Sequence, residues 1–189
     1  TNISLKSFIN NQFSIDDLKI STKEIQIKDL ISLTRKVKGS PQLFILDSIT
    51  RAGLISANIN LTFDLDGEIK KDYQINGTVK KAKFNIFNQA EIENLNLSFD
   101  ISKNQLTLRK VETKINNIKL KSPLIEVEEK KNRFFIEGEV ISDQQNFDIN
   151  KLKPILGDLL STIETEKIDF NSINTFSFNV NKKLKLNDL

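Results

Sequence analysis

Between Ala57 and Ile141 the chain alternates apolar and polar residues almost without interruption, and no other stretch limits the fold so strongly. Ala57, Ile59, Leu61, Phe63 and Leu65 fall at every second position, with Asn58, Asn60, Thr62 and Asp64 between them. Successive side chains of a β-strand point to opposite faces, so this spacing makes one apolar face and one hydrated face. Asp66-Gly67 then supplies a turn, because Gly takes positive φ without steric cost. The spacing predicts the next strand over Ile69 to Val79, with Tyr73, Ile75, Gly77 and Val79 in the apolar phase. Further segments follow at Ala82-Phe84-Ile86, Leu95-Leu97-Phe99-Ile101, Leu106-Leu108, Val111 to Ile115, Ile118-Leu120, Ile125-Val127 and Phe134-Ile136-Gly138-Val140. Connections this short join only antiparallel neighbours, since a parallel crossover needs a dozen or more residues. The expected fold is mainly β: a long curved antiparallel meander, shaped as a groove or folded like a taco, with one or two amphipathic helices.

The flanks are less regular. Ile3-Leu5, Phe13-Ile15, Leu18-Ile20 and Ile25-Ile27 suggest short strands separated by polar turns. Ser40-Pro41 suits a helix entry, with Ser as N-cap and Pro at the first helical position. Leu43, Phe44, Leu46 and Ile49 outline about three turns over 41–52, ended by Gly53, although Phe44-Ile45-Leu46 also suits a strand. A second helix is predicted over 149–163, where Ile149, Leu152, Ile155, Leu156, Leu159, Leu160 and Ile163 keep the spacing of one helical face. Its polar face lacks basic enrichment, so it is expected to pack across the apolar face of the sheet. After it, Ile173 to Val180 and Leu184-Leu186 return to strands. The whole of 1–189 reads as part of one extended repetitive sheet domain, divided into 1–56, the core meander 57–141, and 142–189. The chain begins at Thr1 and contains no Met, which suggests an excerpt of a longer protein.

Two internal matches stand out. Tyr73-Gln-Ile75-Asn-Gly77-Thr-Val79 matches Phe134-Phe-Ile136-Glu-Gly138-Glu-Val140, and Ser98-Phe99-Asp100-Ile101-Ser102-Lys103 matches Ser177-Phe178-Asn179-Val180-Asn181-Lys182. Their offsets differ, which suits a growing sheet of similar hairpins better than a rigid repeat.

Chemistry-bearing residues are scarce. The chain has no His and no Cys, which removes the commonest general base and the thiolate metal ligands. Phosphate-binding, dinucleotide-binding, nucleophile-elbow and zinc-protease motifs are missing. Carboxylate neighbours such as Asp16-Asp17, Asp64-Asp66 and Glu126-Glu128-Glu129 look like a solvated face, and the calcium-loop pattern is absent. Neither a catalytic activity nor a cofactor nor a metal site is expected. The 28 basic and 25 acidic residues alternate along strands, without the basic patch of a nucleic-acid binder. No run reaches the ~18 apolar residues of a spanning helix.

What remains is the apolar face. A buried Leu, Ile or Phe contributes roughly 1.5–3 kcal/mol, so several per strand are not left facing water without a reason. The candidate groove residues are Ile59, Leu61, Phe63, Leu65, Tyr73, Ile75, Val79, Leu97, Phe99, Ile101, Leu106, Leu108, Phe134, Ile136 and Val140. One or two short helices cover only part of such a sheet, and a curled apolar face suits acyl chains. The segments LTFDLDGEIKKDYQINGTVKKAKF, IENLNLSFDISKNQLTLRKVETKI and RFFIEGEV resemble the repeats of the bacterial AsmA-like superfamily, of the YhdP and TamB type. The resemblance covers about Ile55 to Ile141. It implies a long curled sheet with a hydrophobic groove, a periplasmic location, and attachment to the inner membrane through an anchor outside this sequence. It also implies phospholipid acyl chains as cargo moving between inner and outer membranes, with envelope proteins as possible partners. Two other readings stay open: a structural or adhesion β-domain with a dry core, and a periplasmic outer-membrane assembly factor that carries no lipid.

Overall fold

The computed structural model of the chain describes residues 2–10, 12–37, 41–64, 68–70, 72–86, 90–131, 133–152, 165–181 and 186–187. They build one open sheet of 11 strands. Strands β1 (Asn2–Asn10) and β2 (Gln12–Ser21) form a first hairpin, and β2 lies against β4 (Thr50–Thr62). The short β3 (Ile25–Gln26) continues along the same side of β4, opposite Ile55 and Leu54. From β4 onward each strand pairs with the next: β5 (Gln74–Ile86), β6 (Ala90–Ser102), β7 (Gln105–Ile115), β8 (Ile118–Lys130), β9 (Arg133–Asp148), β10 (Lys167–Asn181) and β11 (Leu186–Asn187). All of these pairings are antiparallel. The β7–β8 hairpin turns on Asn116-Asn117, both at positive φ (49° and 68°), as a two-residue hairpin loop of the twist-compatible kind requires. The predicted meander is therefore the fold, and it stays open, with β1 and β11 at its two ends.

The strands are longer than the segment-by-segment reading. Val79 and Ala82 lie in one strand, as do Leu108 and Val111, and the first flank forms long strands where short ones were expected. What breaks the alternation is a row of bulges. Gly53 in β4 (φ 135°), Lys81 in β5 (49°), Asn94 in β6 (51°) and Lys110 in β7 (53°) each coincide with a shift in pairing register, and β8 inserts its extra residue between Lys121 and Ile125. A bulge adds one residue to one strand and bends it. Because side chains alternate with a period of two, the added residue also exchanges odd for even positions on each face. Hence Ile55 and Val79 before the bulges share a cluster with Ala82 and Phe84 beyond them. Register places the five bulges within about three residues of one another across neighbouring strands, a line along which such a sheet bends.

Two helices connect β3 to β4: α1 (Ile27–Val37) and α2 (Pro41–Ile49). The second stands where it was expected, but Ile49 ends it, and Gly53 serves the β4 bulge instead of a helix terminus. The first was not expected, because Ile25-Ile27 read as a strand; Ile25 and Gln26 do pair with β4, and the helix starts at Ile27. Ile27, Leu30 and Ile31 form its inner face, with Asp29 in the first turn and Arg35 and Lys36 in the last, where they complement the helix dipole. Of the helix predicted over 149–163, residues Ile149–Leu152 form one 3-10 turn, and the remainder lies outside the described residues. The Asp66-Gly67 turn also lies outside them. The strand predicted from Ile69 starts at Gln74, and Ile69 makes only an isolated bridge with Phe63.

Helix α1 sits on the bulge row through a seat of small residues. Ile27 and Ile31 are buried against Ala82, itself 0% exposed, with Ile55, Val79, Phe84 and Leu95 around them. A methyl group at Gly53 would stand 2.7 Å from the Ala82 Cα and 2.7 Å from Ile27 Cδ1, in a backbone conformation that L-residues rarely adopt. Gly53→Ala should therefore lower stability by about 2–4 kcal/mol, from backbone strain and overpacking together. The midpoint of urea unfolding measures it, and an unchanged midpoint would contradict the seat.

Candidate functional site

Pairing register shows which side chains share a face, because directly opposed residues of antiparallel strands point the same way. One row runs Ile20, Ile59, Ile75, Ile101, Leu106, Val127, Ile136, Phe178 across eight strands, each opposite the next. The next row runs Ala57, Gly77, Phe99, Leu108, Ile125, Gly138, Phe176. No charged residue interrupts either row. Together they form an apolar floor, and helix α1 lies beyond one end of it, at the bulge row.

Most of the candidate groove residues belong to this face. Ile59, Leu61, Ile75, Val79, Leu97, Phe99, Ile101, Leu106, Leu108, Phe134, Ile136 and Val140 share it by register. Tyr73 precedes β5, and its hydroxyl donates to the Lys103 carbonyl oxygen at 3.4 Å, at the rim. Phe63 lies past the end of β4, and Leu65 is outside the described residues. Leu18, Ile20, Ile125, Val127, Phe176, Phe178 and Val180 share the face as well. Their signal was the same alternation, carried across β2, β8 and β10 by the register of each pairing. Phe99 is buried, whereas the other described members of the two long rows are half-buried.

Two glycines shape the floor. A methyl group at Gly77 would come within 2.7 Å of the Phe99 ring and 2.1 Å of the Ser56 carbonyl oxygen. At Gly138 it would meet the Phe176 ring and the Leu124 carbonyl oxygen, each at 2.9 Å. In both places an aromatic ring comes close against a glycine on the neighbouring strand. The first internal match therefore marks equivalent positions, with Ile75 and Val79 on the same face as Ile136 and Val140. The second match does not: Phe99 corresponds to Phe176, which faces Gly138, while Phe178 faces Ile136.

The opposite face is polar. Ser56 and Thr78 hydroxyls lie 2.9 Å apart, Asn58 Nδ2 donates to Asn76 Oδ1 at 3.2 Å, and Arg109 pairs with Asp100. Lys83 lies between Glu91 (2.6 Å) and Glu93 (3.0 Å), whose hydrogen bonds hold its pKa above the usual lysine value. Such exposed pairs are screened by water and add little to stability. Open depressions of about 480 Å³, lined by Pro123, Leu124 and Phe176 as well as Glu126, Glu137 and Glu139, and about 330 Å³, beside Asn76, Asp100 and Arg109, lie on this side. Leu124, Phe135 and Ile173 are scattered exposed exceptions on this side.

Compared with known proteins, the chain matches no family model, no curated protein and no solved structure.

Each glycine is opposed by a backbone carbonyl and an aromatic ring, but Gly77 more closely, and this sets an expected order. Gly77→Ala drives a methyl into backbone that cannot yield and should cost about 2–4 kcal/mol, while Gly138→Ala, with looser contacts, should cost about 1–2 kcal/mol. Urea titrations of both variants check the order, and equal costs would contradict the register described.

Proposed function

We propose that this chain is a lipid-conducting or lipid-binding segment of an AsmA-like envelope protein, whose apolar floor carries phospholipid acyl chains between the inner and outer membranes. The supporting observation is the unbroken row from Ile20 to Phe178, eight apolar side chains wide with no charge between them. At ~4.8 Å per strand the row extends roughly 34 Å. An acyl chain of one leaflet spans roughly 15 Å, half of a bilayer's hydrocarbon core, so the floor has room for both tails of a phospholipid.

In this reading affinity comes from acyl burial, at ~0.8 kcal/mol per CH₂, while the headgroup stays in water at the rim. Binding then tolerates different headgroups and depends weakly on salt. The half-buried state of the floor fits a surface that exchanges one apolar partner for another. No catalytic step is assigned. Membrane attachment and a periplasmic location belong to the same proposal, and among the described residues no helix is long and apolar enough to cross a membrane.

A photo-crosslinking residue at Ile101 or Leu106 should capture phospholipid in cells, and one at Ser102 or Gln105, on the polar face, should not. Ile101→Asp puts a charge where acyl chains would lie and should remove co-purifying lipid while the strand signal in circular dichroism persists. Capture of protein alone from the floor positions would support the adhesion or assembly reading instead.

A further inference from the structure

The helical pair α1–α2 carries apolar side chains that the fold does not use. Among the described residues, eight large apolar side chains stand out as exposed, and four of them lie on this pair: Leu33 (61%), Phe44 (56%), Ile45 (46%) and Leu46 (38%). The pair is nevertheless well fixed. Arg35 stacks 3.9 Å above the Phe44 ring and forms an ion pair with Asp47, tying α2 to α1, while Ile27 and Ile31 hold α1 on the sheet. The buried Thr50 caps the exit of α2, its hydroxyl donating to the Leu46 carbonyl oxygen at 2.6 Å. These apolar groups are held outward by a braced element.

The same region carries an excess of basic residues. Residues 27–51 contain five basic residues (Lys28, Arg35, Lys36, Lys38 and Arg51) and two acidic ones (Asp29 and Asp47). The segment has a net charge of +3; Arg35, paired with Asp47, and Lys36 lie beside Phe44 around one depression, while Lys38 lies outside the described residues. Exposed apolar side chains beside a local excess of Lys and Arg are the two ingredients of helices that lie in a membrane interface, one entering the acyl boundary and the other meeting anionic headgroups. From this coincidence we infer that α1–α2 docks on an anionic membrane surface, with Phe44, Ile45 and Leu46 entering the interface and Leu33 beside them. The docking stands on these observations alone and does not require the floor to carry lipid. Should the floor do so, docking would bring its bulge-row end, where α1 sits, to the bilayer.

Flotation of the whole chain with vesicles of phosphatidylethanolamine containing about a third phosphatidylglycerol tests this, with pure phosphatidylcholine vesicles as the comparison. The chain should float with the anionic vesicles, less with the zwitterionic ones, and less as salt is raised. Ile45→Asp should lower the bound fraction about tenfold, while Ile173→Asp should leave it unchanged. Ile173 is the more exposed of the two (65%) and lies on the polar face of the sheet, so the pair separates docking from general stickiness. The chain has no Trp, so Phe44→Trp creates a single reporter whose emission should shift to the blue on adding anionic vesicles. This second readout holds even if Ile45→Asp impairs folding. Failure of the unaltered chain to float, equal losses from Ile45→Asp and Ile173→Asp, or an unmoved Trp emission would each overturn the proposal. A dimer in solution that Ile45→Asp dissociates, with no vesicle binding, would overturn it in favour of an interface between copies.

Discussion

The structure depends on one constraint: a strand can keep the same chemistry on one face only while its period of two is unbroken. Each long strand from β4 to β8 breaks that period once, and each repairs the break by inserting one residue. Without the insertion, Ala82 and Phe84 would point to the side of Lys80, and the apolar floor would end in mid-strand. A single bulge would leave one strand out of phase with its neighbours. Insertions in five neighbouring strands keep β4 to β8 in phase with one another, and α1 rests against their line. Small residues are placed to match, since Gly53 takes the φ of 135° and Ala82 leaves room for Ile27 and Ile31.

This explains what could and could not be read from the chain. The apolar positions were legible because alternation is local, and the hairpins follow from the shortness of the connections. The breaks at Val79-Lys80-Lys81-Ala82, Ile92-Glu93-Asn94-Leu95 and Leu108-Arg109-Lys110-Val111 were visible as two polar residues in succession. They read as strand ends, although the backbone continues through Lys81, Asn94 and Lys110 in the left-handed conformation that residues other than Gly seldom adopt. Helix α1 was hidden for another reason. Its apolar face rests on Ile27, Leu30 and Ile31, too short a pattern to stand apart from the Ile25-Gln26-Ile27 alternation before it. The seat at Gly53 and Ala82, which decides for the helix, comes from residues far along the chain. The mismatch of the second internal repeat has a similar origin: matching letters aligned Phe99 with Phe178, while the ring that covers a glycine is Phe176.

The two faces divide the energetics. On the polar side, hydroxyl and amide contacts such as Ser56–Thr78 and Asn58–Asn76 satisfy neighbouring strands but compete with water, so each adds little. On the apolar side the aromatic rings over Gly77 and Gly138 and the α1 seat supply the packing. The floor between them is sheltered mainly by its own neighbours. A sheet with such a face retains a capacity for an apolar partner, and that capacity is the physical basis of the proposed lipid role.

The central claim is that the apolar face of β6 passes through the bulge row without a break. The chain is free of Cys, so single cysteines along β6 can carry nitroxide labels without background. Their accessibility to oxygen and to a polar nickel complex, read in the presence of lipid, reports which way each side chain points. The account expects the apolar signature at Leu95, Leu97, Phe99 and Ile101, and then at Ile92, with the parity exchanged at Asn94. An unbroken period of two through Asn94, with Glu93 on the apolar side and Ile92 on the polar side, would contradict it.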